Sequence, residues 1–276
     1  MDSPPVRTVA SGKGPGEALD AQAMEQLRTA RSLLEHRSLS HRFLTTLGTP
    51  VDQAYALLPR KARDAIAKGA RGALLKLSEY VISHTMNEEA RSDQSRLHKW
   101  GVMLSGGIGG FGGLASLPVE ITVSTSIMLR SIAALARHHG EDLRRVEARL
   151  ACIEVFGLEG DHAPDEPVLA SYFTTRSLFA QEVRTALTYM AAGAQRNTLR
   201  PSLVRMVEFI APRFGVMLEE KFLAQSLPLA GAIGGAALNA IFLDHYQRTA
   251  RGHFMIRRLE REWGAQAVRS AVASLD

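Results

Sequence analysis

The sequence predicts an all-α fold, a multi-helix bundle with two glycine-rich apolar helical hairpins packed centrally. No segment of the 276 residues alternates apolar and polar residues between turn residues, as half-buried strands do. Apolar residues recur instead at spacings of three and four, as on one face of a helix. Aromatic residues make up only 6% of the chain, against 46% for all hydrophobic residues. A core built mainly from Ala, Leu, Val, Ile and Gly favours closely packed helices.

Residues 1–18 differ in composition from the rest, because they contain Pro, Gly and Ser but no apolar run. They predict a disordered N-terminal tail rather than a signal peptide, followed by a single all-helical domain over residues 19–276. The one cysteine, Cys152, lies in the apolar run LACIEVF and excludes an intrachain disulfide. We expect it to be a small buried hydrophobe in a cytoplasmic, reducing setting.

Three helices are predicted before the first glycine-rich stretch. The first runs from about Leu19 to Arg37, and the segment TTLGTP separates it from a short second helix near Val51 to Leu58. The third, over residues 59–85, has one apolar stripe, which comprises Ile66, Ala70, Ala73, Leu74, Leu77 and Val81.

The remaining surface of the third helix is basic. Two interpretations stay open: a solvated face of a core helix, or a surface for anionic lipid, where each basic residue contributes about 1 kcal/mol. The net charge of +5 favours anionic partners without choosing between them. The basic residues that we assign to lipid headgroups on this helix are Arg60, Lys61, Lys68, Arg71 and Lys76.

Two uncharged stretches follow, and each is long enough to cross a bilayer. Twenty residues separate Lys99 from Glu120, and twenty-two separate Lys221 from Asp244. Their Gly, Ser, Pro and Asn content makes insertion marginal. Buried hairpins of a soluble protein, reversible membrane association and a constitutive multipass protein all remain open.

Glycine inside a helix costs about 1 kcal/mol relative to Ala, so these stretches must pack against something. Several of the glycines stand four apart, the spacing that lets two helix backbones approach closely. We therefore predict a helix pair in which the two stretches meet. The predicted packing residues are Gly106, Gly109, Gly110, Gly113, Pro118, Pro228, Gly231 and Gly235.

Several segments resemble the EcsC protein family over roughly Ala54 to Gly264. They are GGIGGFGGLASLPVEITVSTSIMLRSIAALARHHGEDL, EARLACIEVFGLEG, YFTTR, RFGVMLEEK and LPLAGAIGGAALNAIFLDHYQRTARGHFMIRRLEREWG. The resemblance implies a bacterial, helical protein, and ABC transporter subunits as partners, since the family takes its name from a gene beside those of such a transporter. Asp165 and Glu166 depart from the family's spacing, so no role is carried over to them. The polar residues that match the family best are Glu120, Arg130, Glu141, Asp142, Arg149, Glu154, Tyr172, Arg176, His245, Arg251, His253 and Arg257.

The familiar enzyme motifs are missing from the sequence, which has no G-x-S-x-G, H-E-x-x-H, Walker A or C-x-x-C pattern. Whether the protein is an enzyme stays open, with Glu120, Glu154 and His253 as candidate catalytic groups. His245 and His253 lie about 12 Å apart along one helix and cannot hold one ion unaided. A metal would need Glu154 or another helix beside one of them. We expect no metal or cofactor, and a solvated loop over residues 161–166.

Glu120 lies between an uncharged run of twenty residues and another of nine. A buried carboxylate without a partner would cost several kcal/mol. Arg130 is about 15 Å away on a continuous helix, too far to pair. We therefore expect a partner from another segment, Arg176 or Arg251, in a core ion pair, a proton-linked switch or a substrate anchor.

Arginines cluster after the second stretch, where a headgroup-facing edge and ordinary helix decoration are both consistent with them. Those assigned to headgroups are Arg251, Arg257 and Arg258. Nucleic acid is not expected, because no nucleic-acid-binding motif accompanies the basic residues.

Two functions stay open. The first is a non-enzymatic protein that associates peripherally with anionic lipid from the cytoplasm, and the sequence allows a homo-oligomer. The second is a soluble helical hydrolase or lipid-binding protein with an apolar pocket.

Overall fold

The computed structural model describes residues 18–35, 58–84, 113–158, 168–192, 196–226 and 230–275. These ranges contain eight α-helices and no strand, so the all-α prediction is confirmed for them. The helices are α1 (Ala21–Leu34), α2 (Arg60–Ser83), α3 (Gly113–His138), α4 (Val146–Glu154), α5 (Val168–Ala191), α6 (Arg196–Ser226), α7 (Ala230–Trp263) and α8 (Ala265–Val272), and a 3-10 turn, Val155–Gly157, follows α4 directly.

Helix α2 is amphipathic as predicted. All six residues of its predicted apolar stripe are buried. The five basic residues assigned to headgroups on this helix are all exposed. The stripe faces α3, α4 and α6, so the core interactions of α2 leave its basic face in water.

The short helix α4 forms the centre of the bundle. Every residue from Ala148 to Leu158 is buried, because α2, α3, α5, α6 and α7 pack around α4 and its 3-10 turn. This burial includes the charged residues Arg149 and Glu154, so both must find partners within the bundle. Cys152 is wholly buried here, and burial raises the pKa of its thiol, so the prediction of a buried hydrophobe is confirmed.

Helices α3 and α7 run parallel and side by side. The amide of Gln247 donates to Ser131 Oγ at 2.7 Å, and Arg257 Nε donates to Glu141 Oε1 at 2.7 Å. In each pair the two residues are 116 positions apart in the sequence, so α3 and α7 run in the same direction with a constant offset.

Helices α2 and α6 are antiparallel. Arg71 Nη2 donates to Glu208 Oε1 at 2.6 Å, and the charge of Arg63 acts on Glu219 farther along α6. The start of α2 therefore lies beside the C-terminal part of α6.

Helix α1 begins later and ends earlier than predicted. Asp20 caps it by accepting a hydrogen bond from the Ala23 amide at 2.8 Å, and its last residue is Leu34. Several other predictions lie outside the described residues: the tail over residues 1–17, the second helix near 51–57, the loop 161–166, and Gly106, Gly109, Gly110 and Pro228.

The remaining glycine-stretch residues lie in two helices. Gly113 and Pro118 belong to α3, and Gly231 and Gly235 belong to α7. The second uncharged stretch is shared between the end of α6 and the start of α7, and α7 continues without a break into the arginine-rich segment. A central pair of glycine-rich hairpins stays a prediction.

Candidate functional site

Seven of the predicted polar residues fall into two separate groups. The first, which we call the ionic cluster, surrounds the end of α4 and comprises Glu141, Glu154, Tyr172, Arg176, His253, Arg257, Glu260 and Arg261. The second, which we call the apolar end, is the end of the bundle where Glu120 meets Lys221.

Helical spacing brings the ionic cluster together. Tyr172 and Arg176 are one turn apart on α5, and His253, Arg257 and Glu260 follow each other at intervals of four and three on α7. Each set therefore shares one face, and both faces converge on the end of the buried helix α4.

A tyrosine, a histidine and a glutamate form the middle of the ionic cluster. Tyr172 Oη lies 3.0 Å from His253 Nδ1 in hydrogen-bond contact. His253 Nε2 lies 3.9 Å from Glu154 Oε2, and it makes no hydrogen bond to any described residue. Burial, reinforced by the charges of Arg176 and Arg257, lowers the pKa of His253 well below its ordinary value, so the imidazole is neutral. Burial raises the pKa of Glu154, although the charge of Arg176 opposes it.

Two bidentate ion pairs flank this middle. Arg176 donates to both oxygens of Glu260 at 2.9 and 3.0 Å, and Arg257 donates to both oxygens of Glu141 at 2.7 and 3.2 Å. Arg261 adds a third donor to Glu141. Burial alone would raise the pKa of Glu141, but the hydrogen bonds and charges of these two arginines outweigh it and lower the pKa. The two ion pairs hold the end of α3, α5 and α7 together around α4.

A turn places Glu141. Helix α3 ends with Gly140 in the left-handed region at φ +81°, where glycine is favoured. The Gly140 amide donates to the Arg137 carbonyl and the Glu141 amide to the Ala136 carbonyl, both at 2.9 Å. These two bonds define a Schellman motif, which directs Glu141 back toward α7.

Arg149 and Asp142 match the family and have architectural roles. Arg149 donates to the carbonyls of Val81 and Ile82 at the end of α2, the second at 3.4 Å, and to the Leu143 carbonyl at 3.0 Å. It thereby satisfies carbonyls that the helix end leaves without partners. Asp142 holds the following turn through Arg144, whose backbone and side-chain nitrogens donate at 3.0 and 2.9 Å.

Glu154 and His253 are the acid and base groups of the ionic cluster, but they are not hydrogen-bonded and the middle of the cluster is closed to solvent. His253 is 0% exposed, Tyr172 2% and Glu154 7%. With Glu154 ionised, three carboxylates of the cluster balance three arginines. The described geometry therefore supports a charge-balanced core more directly than a catalytic centre.

At the apolar end, the structure corrects the predicted partner of Glu120. The partner does come from another segment, but it is Lys221 on α6, whose Nζ lies 3.6 Å from Glu120 Oε1. Arg176, one of the two predicted partners, binds Glu260 instead. Arg251, the other, is exposed on α7.

Lys221 is the residue that the sequence analysis missed. Its side chain is only 1% exposed, and its Nζ lies 5.5 and 5.3 Å from the ring centroids of Phe222 and Phe242. Burial lowers the pKa of Lys221, and the charge of Glu120 opposes that shift. Its position in the sequence could have identified it as the partner of Glu120. Lys221 borders the second uncharged stretch as Glu120 borders the first.

The predicted headgroup residues do not form one surface. Arg60, Lys61, Lys68 and Lys76 are exposed along α2, and exposed Arg71 pairs with Glu208. Arg257 is turned into the ionic cluster, with 21% of its side chain exposed, so we no longer assign it to headgroups. Arg251 and Arg258 lie farther along α7, away from the apolar end.

Two other family-matching residues lie apart from both groups. Arg130 is half-buried on α3, and His245 is buried on α7 with its ring edge-on to Tyr246 at 5.5 Å. Within the described ranges, no three His, Cys, Asp or Glu side chains are placed to hold a metal ion.

One described helical segment, Val119–His138, is long and apolar enough to cross a bilayer, with a mean hydropathy of 1.4. This is weak evidence for a span, because the core helices of soluble proteins often meet the same criterion.

These features define a class of protein: an all-helical bundle around a buried ionic cluster, with two uncharged stretches bordered by one ion pair. The chain belongs to the EcsC protein family, which it matches over residues 21–259. Comparisons with curated proteins and with solved structures found no match.

Proposed function

We propose that this EcsC family protein is non-enzymatic and associates reversibly with anionic membranes through its apolar end. Basic side chains attract the headgroups, and the glycine-rich stretches supply apolar contact or shallow insertion. Transporter subunits, which the family resemblance introduces as partners, would meet the protein at the same membrane face.

The observation that carries this proposal is the ion pair between Glu120 and Lys221. Glu120 is the first charge after one uncharged stretch, and Lys221 is the last charge before the other. Their contact at 3.6 Å joins the boundaries of both stretches at one end of the bundle. An apolar region gathered at one end of a molecule can face a bilayer without disturbing the core.

The start of α2 supports the proposal by its charge. Arg60 and Lys61 begin the helix, where the helix dipole disfavours cations, and its first turn has no acidic residue and no side-chain cap. This end of α2 lies beside the end of α6 that carries Lys221. Such locally unfavourable charges are expected where a partner uses them.

The register of α3 and α7 gives the heights at which the glycine-rich stretches would meet. An offset of 116 places Gly231 level with Ala115, and Gly235 level with Val119. Val119 is 60% exposed, so apolar surface is already open to solvent beside Glu120. Helices that run parallel at one register would meet the interface together.

The alternative, a soluble hydrolase or lipid-binding protein, is favoured by one observation, the contact of Glu154 with His253. That function requires an opening that admits substrate to the middle of the ionic cluster. It predicts no salt-dependent binding to vesicles.

Vesicle flotation tests the proposal. We expect the protein to float with vesicles of phosphatidylcholine and phosphatidylglycerol at low salt and to float less at high salt. The variant Arg60→Gln/Lys61→Gln/Lys68→Gln should lose about 3 kcal/mol of binding, roughly a hundredfold, because each basic residue contributes about 1 kcal/mol. Its folded state should remain at least as stable, since two cations leave the start of a helix.

The control removes the same charge elsewhere. Arg28, Arg144 and Arg248 are exposed and pair with carboxylates of their own segments. The variant Arg28→Gln/Arg144→Gln/Arg248→Gln should float almost as well as the wild type. Equal losses in both variants, or no flotation of the wild type at either salt concentration, would contradict the proposal.

A further inference from the structure

A second positively charged region lies at the opposite end of α3, around His139. This residue is 6% exposed, and its Nδ1 has no hydrogen-bond partner among the described residues. Burial, reinforced by the charges of Arg258, His138, Arg261 and Arg251, lowers the pKa of His139 to about 4, and Arg261 Nη2 donates to the His139 carbonyl at 2.6 Å. The imidazole is therefore a neutral group surrounded by cations.

Arg258 has an unused donor in the same region. Its Nη2 donates to Gln26 Oε1 on α1 at 2.9 Å. Its Nε is buried and makes no hydrogen bond to a described residue, and Glu262 Oε1 lies 3.9 Å away, beyond hydrogen-bond distance. A guanidinium N–H can only donate, so this group requires an acceptor.

The charges around His139 do not balance. Glu141 already binds Arg257 and Arg261, and Glu262 is more than half exposed beside Arg258. Arg251 is exposed on the same side of α7 as Arg258, two turns away. The ionic cluster already balances Arg257 and Arg261, so Arg251 and Arg258 face Glu262 alone, which leaves a surplus of one positive charge.

We propose that His139, Arg251 and Arg258 form a binding site for a phosphate group. A phosphate oxygen can accept from the Nε–H of Arg258 and from a protonated Nδ1 of His139, and its charge offsets the surplus. Arg251, at the surface, provides the approach from solvent. The site is independent of the proposed membrane surface, because His139 lies roughly 28 Å along the α3 direction from Glu120.

Titration with inorganic phosphate tests this site in the full-length protein, with chloride used to keep the ionic strength constant. We expect saturable binding by calorimetry, and a rise in the pKa of His139 when its ring is followed by NMR. Arg251→Gln and Arg258→Gln should each weaken binding by about tenfold to a hundredfold, the range for a charge-assisted hydrogen bond. Glu262→Gln should strengthen it, because it removes a competing carboxylate.

The matched control is Arg248→Gln, on the same helix, where the arginine pairs with Asp244 at 2.9 Å. It removes the same charge and should leave phosphate binding within about twofold of the wild type. An equal loss in Arg248→Gln would mean general charge attraction and would overturn the proposal. A His139 pKa that phosphate leaves unchanged in the wild type would also overturn it, and this measurement does not depend on any variant folding.

The phosphate could belong to a soluble molecule or to a lipid, and vesicles separate the two. The double variant Arg251→Gln/Arg258→Gln is floated with vesicles that contain phosphatidic acid. Reduced flotation together with weaker inorganic phosphate binding supports the site with a lipid phosphate as its ligand. Unchanged flotation with weaker phosphate binding supports it with a soluble phosphate compound. Failure of the membrane proposal would appear only in the vesicle measurements.

Discussion

The buried imidazole of His253 links the stability of the protein to pH. Its pKa is lower in the folded state than in the unfolded chain, where the ordinary value is 6.5. The unfolded state therefore binds more protons below about pH 6.5, and stability falls by up to about 1.4 kcal/mol per pH unit for one such group. His139 adds a loss of the same sign down to about pH 4. Glu154 acts oppositely, because its raised pKa makes the folded state bind the proton more tightly as the pH falls.

Denaturant unfolding at pH 7, 6 and 5 measures these contributions. We expect the free energy of unfolding of the wild type to fall with pH, and His253→Gln to reduce that fall. Glu154→Gln should make the fall steeper, because the compensating proton uptake is lost. His84→Gln, at an exposed residue after α2, is the control and should follow the wild type. A His253→Gln variant whose stability runs parallel to the wild type would contradict this account.

The pair of Glu120 and Lys221 should respond unequally to removal of either partner. Glu120→Gln leaves an ammonium group buried without its counter-ion and should cost about 3–5 kcal/mol. Lys221→Met should cost less, because Glu120 retains 12% exposure and can reach water. The lowered pKa of Lys221 means that the folded state favours the neutral amine, so the loss in Glu120→Gln should shrink as the pH rises toward 10.5.

A double-mutant cycle tests this pair: denaturant unfolding measures the stability of both single variants and of Glu120→Gln/Lys221→Met. The double variant should recover much of the stability lost in Glu120→Gln. Additive losses would show that the two side chains do not interact.

At the residue scale, the sequence predicted burial better than partnership. The stripe on α2 and the burial of Cys152 follow from local pattern alone. The sequence also predicted that Glu120 has a partner, because burying any charged group without one costs free energy. It did not predict the identity of that partner, because spacing along the chain says nothing about which helix ends meet. Glu154 and His253 are 99 positions apart and meet only through packing.

At the scale of helices, the contact between α1 and α7 depends on a glycine. A Cβ built on Gly252 would lie 2.9 Å from Leu34 Cγ and 3.0 Å from the Ala30 carbonyl oxygen, closer than side chains tolerate. Gly252→Ala should therefore separate α1 from α7 and destabilise the protein by about 1–3 kcal/mol. Thermal unfolding measures the loss, and proteolysis should release α1 more readily.

Gly72→Ala on α2 is the matched control. A Cβ at Gly72 would meet nothing within 4 Å. The substitution should stabilise the helix by about 0.5–1 kcal/mol, because Ala loses less conformational entropy than Gly. Loss of stability in Gly72→Ala, or none in Gly252→Ala, would contradict the packing described for these helices.

Helix periodicity predicted the amphipathic helix α2 but not the role of α4. An amphipathic stripe lies opposite a solvated polar face, and α4 has no such face because neighbouring helices bury Arg149 and Glu154 together with its apolar residues. Arg149 illustrates the same limit. Its charge indicated a polar role, but its function as a cap depends on Val81 and Ile82, which lie 68 and 67 positions earlier.

At the scale of the whole molecule, the charges separate along α3 and α7. The ionic cluster and the region around His139 lie toward the C-terminal ends of both helices, while the described parts of the uncharged stretches lie at their starts and at the end of α6. The ion pair of Glu120 and Lys221 lies between these two parts. Such polarity is what a protein needs to dock one end on a membrane while a closed core keeps its shape.

The parallel register of α3 and α7 yields a direct test of the glycine-rich helix pair. The offset of 116 positions places Ser116 level with Ala232. We expect Ser116→Cys/Ala232→Cys to form a disulfide under mild oxidation, since two helices packed through glycine bring such positions close together. The native Cys152 is buried and should not compete.

Ser116→Cys/Ser274→Cys is the control. The carbonyl of Leu275, next to Ser274, accepts from Arg31 Nη1 at 2.6 Å on the part of α1 that packs against Gly252, roughly 30 Å along α7 from Ala232. Only the first pair should cross-link, and it should do so both in solution and on vesicles if the two helices enter the interface together. Cross-linking in solution that disappears on vesicles would mean that lipid separates the helices. No cross-link in either setting would remove the glycine-rich pair, and shallow insertion through it, from the function of this protein.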